Sequence, residues 1–200
     1  MNVAIFVFDE VEVLDFAGPF EVFCTASRVA RRSSPAGVPF EVLTVGQGGG
    51  AVRARGGLTV TPTCAFGAHP PVDVLIVPGG VVDAERPKAA VRAWLAAVAG
   101  SAALTASVCT GAFLLGDLGL FDGRAATTHW EDLDDFAREF PGIDVRRDVP
   151  WVDLGSVVSS AGISAGIDMS LHLVRRLHSP ELARRTARQM QYTWHEGERG

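Results

Sequence analysis

A three-layer α/β/α sandwich around a mostly parallel sheet is the fold class predicted by this 200-residue chain. Three observations carry it. Apolar runs of strand length recur at Val3 to Phe8, Val72 to Val77 and Leu104 to Val108, too continuous for a sheet with one wet face. Stretches of helical periodicity separate these runs, and a glycine-bearing turn follows each of them. The composition, 48% hydrophobic and 20% charged, suits one domain over residues 1–200 with a continuous core.

Taken in order, Val3 to Phe8 reads as a central strand because nothing polar interrupts it. A loop through Asp15 and Gly18 leads to a helix from Pro19, whose fixed φ suits a first helical position, with Phe20, Phe23, Ser27 and Ala30 on one face. Phe40 to Val45 is the next strand. The following GQGGG lacks the Lys-Ser/Thr pair and the helix that a phosphate loop requires, so it reads as a surface turn. Val52 to Thr61 alternates about Gly56 and Gly57 and is expected as a hairpin at the sheet's edge. Val72 to Val77 ends in Pro78-Gly79-Gly80. The helix after Pro87 carries Val91, Trp94, Leu95 and Val98 as its apolar stripe and stops at Gly100.

Leu104 to Val108 runs directly into Cys109. Thr128 and Glu131 have capping-box spacing ahead of a helix with Leu133, Phe136, Ala137 and Phe140 inward. Arg146 to Ser159 reads as a hairpin turning at Asp153 to Gly155. Two helices follow, one opened by the glycine-bearing turn GISAG and one by Ser179-Pro180 with Leu182, Thr186, Ala187 and Met190 inward. The tail from His195 reads as frayed. The order is flavodoxin-like, with ligands held beyond the carboxyl ends of the strands.

A formal net charge of −5 and a pI near 5.5 argue against a phosphate-neutralising surface. The pairs Arg31-Arg32, Arg146-Arg147, Arg175-Arg176 and Arg184-Arg185 read as solvated helix faces or strand ends, and no nucleic-acid partner is expected. No run reaches the roughly 18 apolar residues of a membrane span. The N-terminus, apolar and then acidic after Phe8, lacks a signal-peptide pattern. The three cysteines, Cys24, Cys64 and Cys109, form neither an even disulfide set nor a metal-ligand spacing, and none of the five histidines completes one. Reduced thiols, a cytoplasmic setting, no metal and no cofactor are the expectation.

Three turns meet at the carboxyl edge of such a sheet: Asp9 to Pro19, Pro78 to Val82, and Cys109 to Gly111. The last lies in ASVCTGAFLLG, where Ser107-Val-Cys109-Thr-Gly111 is the cysteine counterpart of the nucleophile elbow G-x-S-x-G. Such a turn sets the sulfur over a helix N-terminus, whose dipole favours thiolate. Read alone, the pentapeptide leaves an inert buried cysteine as the alternative. Gly79 and Gly80 let the backbone approach the elbow, so the Gly80 and Thr110 amides are candidates for a two-donor oxyanion hole. Asp15, within apolar VLDFAGPF, is either a capping residue or a paired, functional carboxylate.

Together these motifs resemble the DJ-1/PfpI (ThiJ) superfamily, a class I glutamine amidotransferase-like group, over nearly the whole chain. LDFAGPFEVF, VPGG, SVCTGAFLLG, ATTHW and GISAGIDMSLHLV carry the resemblance. It is closest to isocyanide hydratase and to the amidase-like domains of AraC-type regulators. The resemblance implies Cys109 as nucleophile, Asp15 as an acidic partner within hydrogen-bond reach, Thr110 and Gly80 as amide donors, and Ile163 with Gly162 as pocket lining. It also implies a homodimer acting on a small molecule, without a counterpart of the regulators' DNA-binding domain. Protease-like members place a histidine directly after the cysteine; Thr110 stands there in this chain, which removes the Cys-His dyad and argues against peptidase activity. His129 is open to two readings, a side chain overhanging the pocket or a neutral histidine at a helix start.

The function expected on this basis is hydration of an isocyanide to an N-substituted formamide, with a Cys109 thiolate attacking and Asp15 donating the proton. A non-catalytic sensory domain that kept the pocket is the alternative, supported by the regulator-like stretch WVDLGSVVSSAGISAGIDMSLHLVRRL. Redox sensing through Cys109 is a third reading.

Overall fold

The computed structural model describes residues 1–32 and 38–195. It opens with β1 (Asn2–Phe6), whose burial continues through Phe8, and α1 (Val13–Arg31). β2 (Glu41–Gly46) follows, then β3 (Val52–Arg53), β4 (Thr59–Val60) and β5 (Cys64–Ala65). β6 (Val74–Val77), α2 (Ala89–Ser101), β7 (Leu104–Val108) and α3 (Gly111–Gly116) make the middle of the chain. β8 (Ala125–Ala126), α4 (Leu133–Glu139), β9 (Asp144–Val145), β10 (Trp151–Asp153), β11 (Val157–Ser160), α5 (Ala165–Leu177) and α6 (Pro180–Gln189) complete it.

One seven-stranded sheet runs in the order β10-β11-β7-β6-β1-β2-β5, parallel throughout except for β10 against β11. β6 and β7 are buried at every residue and β1 after Asn2, as in a parallel sheet covered on both faces; β1 and β6 are apolar throughout that buried stretch, and β7 also buries Thr105 and Ser107. From β1 the chain moves to β2 on one side and later to β6 on the other. The crevice beyond β1 and β6 is therefore the switch point of the sheet, where α/β folds hold ligands. Right-handed crossovers in opposite directions place α1 and α2 on opposite faces. α1, α5 and α6 pack together on one face. On the other, Trp94 of α2 stacks on Phe66 with ring centroids 4.3 Å apart and meets Phe6 at 5.6 Å.

Several local expectations are corrected by long-range contacts. α1 begins at Val13, so Asp15 and Gly18 lie within the helix and Pro19 is an interior residue. Pro19 removes the amide that would bond the Asp15 carbonyl, but Asp15, Phe16, Gly18 and Pro19 are all buried and packing holds the segment helical. A Cβ on Gly18 would stand 3.0 Å from Ile167 Cγ1, so glycine permits the close contact of α1 with α5. The β3–β4 hairpin forms a separate ribbon rather than the sheet's edge. It covers the β1–α1 loop, with Glu10 N–H donating to Arg53 O at 2.8 Å and Arg55 N–H to Val11 O at 3.0 Å. The edge position belongs to β5, which pairs with β2 through Val45 and Cys64.

The capping box does not form either. Thr128 is buried, and His129 caps a short turn, Trp130–Asp132, by accepting from Glu131 N–H at 3.4 Å through Nδ1. The expected hairpin from Arg146 shortens to β10–β11, because Val145 pairs with Ala126 in the β8–β9 ribbon. Gly100 lies inside α2. The last helix agrees with its expectation: Ser179 Oγ accepts from Leu182 N–H at 3.2 Å and Pro180 opens α6. The tail read as frayed starts at His195, whose N–H instead donates to Asp168 Oδ1 at 3.1 Å; the rest of it, residues 196–200, lies outside the described residues. Among those residues no helix is long and apolar enough to cross a membrane, and all three cysteines are free.

Candidate active site

Cys109 occupies the turn from β7 into α3 with φ of 56°, a left-handed conformation that costs a non-glycine residue about 1–2 kcal/mol. The turn is pinned from several sides. Cys109 N–H donates to Ser160 O at 3.2 Å and Ala161 O at 3.3 Å, and its carbonyl accepts from the Thr128 hydroxyl at 2.9 Å. The glycines around it are required by close approach. A Cβ on Gly111 would lie 2.1 Å from Val77 O, and one on Gly79 would lie 2.6 Å from Thr110 N and 2.9 Å from Cys109 Cβ.

Asp15 projects from the first turn of α1 into this crevice and is fully buried. Its Oδ2 accepts from Gly79 N–H at 3.0 Å, an interaction spanning 64 residues of sequence. Oδ1 is buried with no partner in standard hydrogen-bond geometry, while the Cys109 thiol acts on the carboxyl as a side-chain donor. Burial pushes the Asp15 carboxyl up to about 7; Glu12 adds to the shift, and Gly79 N–H, the Cys109 thiol and Arg55 oppose it.

Burial and then the charge of Asp15 push the Cys109 thiol up to about 12, against the backbone amides of Thr110 and Ile163 and the Thr110 hydroxyl. The expectation of a resting thiolate is thereby corrected. Cys109 is 6% exposed, and the loss of water outweighs the dipole of α3, a helix of 6 residues. Between about 7 and about 12 the pair holds one proton, which rests on sulfur, and below about 7 the Asp15 carboxyl takes up a second.

The oxyanion expectation changes as well. Gly80 N–H donates to Thr110 Oγ1 at 2.9 Å and the same hydroxyl donates to Gly80 O at 2.9 Å, so the Gly80 amide is engaged at rest. The amides that act on the sulfur are those of Thr110 and Ile163. Ile163 adopts φ of 50°, and Gly162 beside it leaves room for the His129 ring, which a Cβ there would meet at 2.0 Å. His129 both caps its turn and borders this loop; its Nδ1 lies 3.3 Å from Asp132 Oδ2.

The residues singled out from the sequence, Asp15, Gly79, Gly80, Cys109, Thr110, Gly162, Ile163 and His129, are thus linked by direct contacts. Thr128 was read only as a cap, although its position next to His129 in TTHW placed it beside the site. Its tie to the Cys109 carbonyl depends on a contact across 19 residues.

The model of the DJ-1/PfpI family matches residues 1–176. The chain is 31% identical over 197 residues to isonitrile hydratase from Pseudomonas putida, covering 96% of this chain and 78% of that protein. It is 33% identical over 135 residues to the HTH-type transcriptional regulator CdhR of Pseudomonas aeruginosa, covering 68% of this chain and 40% of the regulator. The chain thus spans less than half of that relative's length. Among solved structures, a THiJ/PfpI family protein from Pseudomonas syringae superposes with a TM-score of 0.83 at 28% identity, over 96% of this chain and 74% of that one.

Proposed function

The chain belongs to the DJ-1/PfpI family, and from that premise we propose that it hydrates an isocyanide to an N-substituted formamide. The observation that carries this reading is the coupled pair itself: a fully buried Asp15, held by Gly79 and raised to about 7, acting on the thiol of Cys109. An isocyanide carbon accepts a nucleophile and must also gain a proton, and this pair supplies both from one place.

In the first step sulfur bonds to the isocyanide carbon while the thiol proton passes through Asp15 to the same carbon, giving the thioimidate R–N=CH–S–Cys109. The Thr110 and Ile163 amides stabilise negative charge on sulfur as the S–H bond breaks. Water then adds to the thioimidate carbon and a proton to its nitrogen. The C–S bond breaks, sulfur regains a proton, and R–NH–CHO leaves. A thiolate with a protonated Asp15 and a thiol with an Asp15 carboxylate carry the same number of protons, so they are two ends of one transfer rather than two mechanisms.

Cys109→Ala tests the reading: formamide production from cyclohexyl isocyanide is expected to fall by several orders of magnitude, as for loss of a covalent nucleophile. Turnover by the variant at the wild-type rate refutes it. A sensory ligand-binding domain is the second reading, favoured by the match to a portion of CdhR. It predicts saturable binding of a small molecule with no turnover of isocyanides. Either reading carries the homodimer expected by resemblance, which sedimentation velocity measures directly.

A further inference from the structure

Two carboxylates share the start of α1. Glu12 is its N-cap and Asp15 stands three residues on, with Asp15 N–H donating to Glu12 O at 3.2 Å. Side chains three apart on a helix are neighbours, and like charges at that spacing repel. Here the repulsion falls on a carboxyl that burial already burdens, and Glu12 raises it further.

A cation from another part of the chain opposes this. Arg55, on the ribbon between β3 and β4 and 43 residues from Glu12, places Nη1 3.3 Å from Glu12 Oε2, and its guanidinium lowers the Asp15 carboxyl. Backbone bonds fix the arrangement. Arg55 N–H donates to Val11 O at 3.0 Å, Glu12 N–H to Gly79 O at 2.9 Å, and Gly79 N–H to Asp15 Oδ2 at 3.0 Å. Ribbon, helix start and the turn after β6 are thereby held in one register. The other ionisable groups around Asp15 are engaged with it or elsewhere. Cys109 acts on it directly from the β7–α3 turn. Asp9 accepts from Arg53 N–H at 2.8 Å, and Glu10 is exposed. Asp168 of α5, the helix packed on α1, accepts from the Tyr192 hydroxyl and His195 N–H, both at 3.1 Å. The arginines of α6 meet α1 at its other end, where Arg185 donates to Val29 O at 3.3 Å.

We propose that Arg55 and Glu12 are a positioning pair of opposed charges, through which the ribbon sets how readily Asp15 takes up and gives its proton. Neither residue touches the substrate. The inference deepens the hydration reading, because the proton concerned is the one delivered to the isocyanide carbon.

The test follows the carbon-13 carboxyl resonance of Asp15, assigned through Asp15→Asn, against pH in the full chain. From a wild-type midpoint of about 7, Arg55→Gln is expected to move it up by about half a pH unit and Glu12→Gln down by a similar amount, the scale of one partly screened charge a helical turn away. The double variant should return close to wild type, and Arg55→Lys, which keeps the charge, should stay there. Salt at about 1 M, where the screening length is about 3 Å, should shrink both shifts. The pair is solvent-facing, with the Arg55 side chain 52% exposed, so thermal midpoints should barely change. A merely structural contact moves the two single variants in the same direction and leaves the double variant no better; that result, or no movement in either, overturns the proposal. In kinetics, the acid limb of kcat/KM for cyclohexyl isocyanide should shift in step with the Asp15 midpoint. If the wild-type protein turns over no isocyanide, the hydration reading fails by itself, and the titration still decides the charge pair.

Discussion

Replacing Asp15 by Asn is expected to stabilise the protein near neutrality, and the gain should disappear in mild acid. Burial holds the folded-state Asp15 at about 7 against an ordinary value of 3.8, with Glu12 adding to the shift. A carboxyl raised on folding binds its proton more tightly in the folded state. Its contribution to stability is therefore full below pH 3.8 and is lost as pH rises toward about 7. About three pKa units at 1.36 kcal/mol each give a cost of about 4 kcal/mol once the group is fully ionised. Asn is neutral and can still accept from Gly79 N–H, whose bond to Asp15 is 3.0 Å. Its amide nitrogen faces a site lacking an evident acceptor, so a net gain of about 2–4 kcal/mol is expected at pH 8.

The assay is urea unfolding of both proteins from pH 4 to pH 8, with the difference taken at each pH so that other titrating groups cancel. The series stops at pH 8 because the unfolded Cys109 thiol, ordinarily near 9 and raised to about 12 on folding, begins to contribute above that. Near pH 4 the difference should lie between zero and about 2 kcal/mol against the variant, the cost of its amide alone, and it should shift in the variant's favour by up to about 1.4 kcal/mol per pH unit. A constant difference across the series, or a less stable variant at pH 8, refutes the assignment of a burdened carboxylate. Loss of hydration activity in the stabilised variant would mark Asp15 as a residue whose stability cost is retained for function.

Two further predictions follow from the hydrogen-bond network. Thr110→Val removes the hydroxyl that bridges Gly80 N–H and Gly80 O, both at 2.9 Å. A loss of about 2 kcal/mol is expected, roughly 5 °C in a thermal melt, with Thr110→Ser close to wild type; an unchanged melt for Val refutes the bridge. At the far end of the sheet, burial raises Asp153, but His172, Gly155 N–H and Arg176 outweigh it and hold the carboxyl at about 2. Asp153→Asn is expected to cost about 1–2 kcal/mol at pH 7. Because the folded-state pKa is depressed, that contribution is present above pH 3.8 and is lost as pH falls toward about 2, so denaturant curves of the two proteins should converge there.

The buried strands and the elements that converge on the site were legible because their signals are local. β7 was read to its last residue, since an apolar run ending at a cysteine and a glycine needs no distant information. The Ser179-Pro180 start of α6 was equally local. Pro19 misled for the same reason: its dihedral preference is local, while the burial that carries α1 back to Val13 comes from α5 and the sheet. The ribbon of β3 and β4 was recognised as a hairpin, but its place over the β1–α1 loop depends on bonds to Glu10 and Val11.

Composition, apolar periodicity and glycine placement by themselves determined the α/β class, the parallel core and the nomination of Asp15, Gly79, Gly80, Cys109 and Thr110. Tertiary structure alone decided where the protons rest, which amides act on the sulfur, and how Thr128 bonds the Cys109 carbonyl while His129 packs against Gly162. Those properties are set by desolvation and by partners far apart in the chain, as when Asp15 meets Gly79 across 64 residues, and no local pattern encodes the water that folding removes.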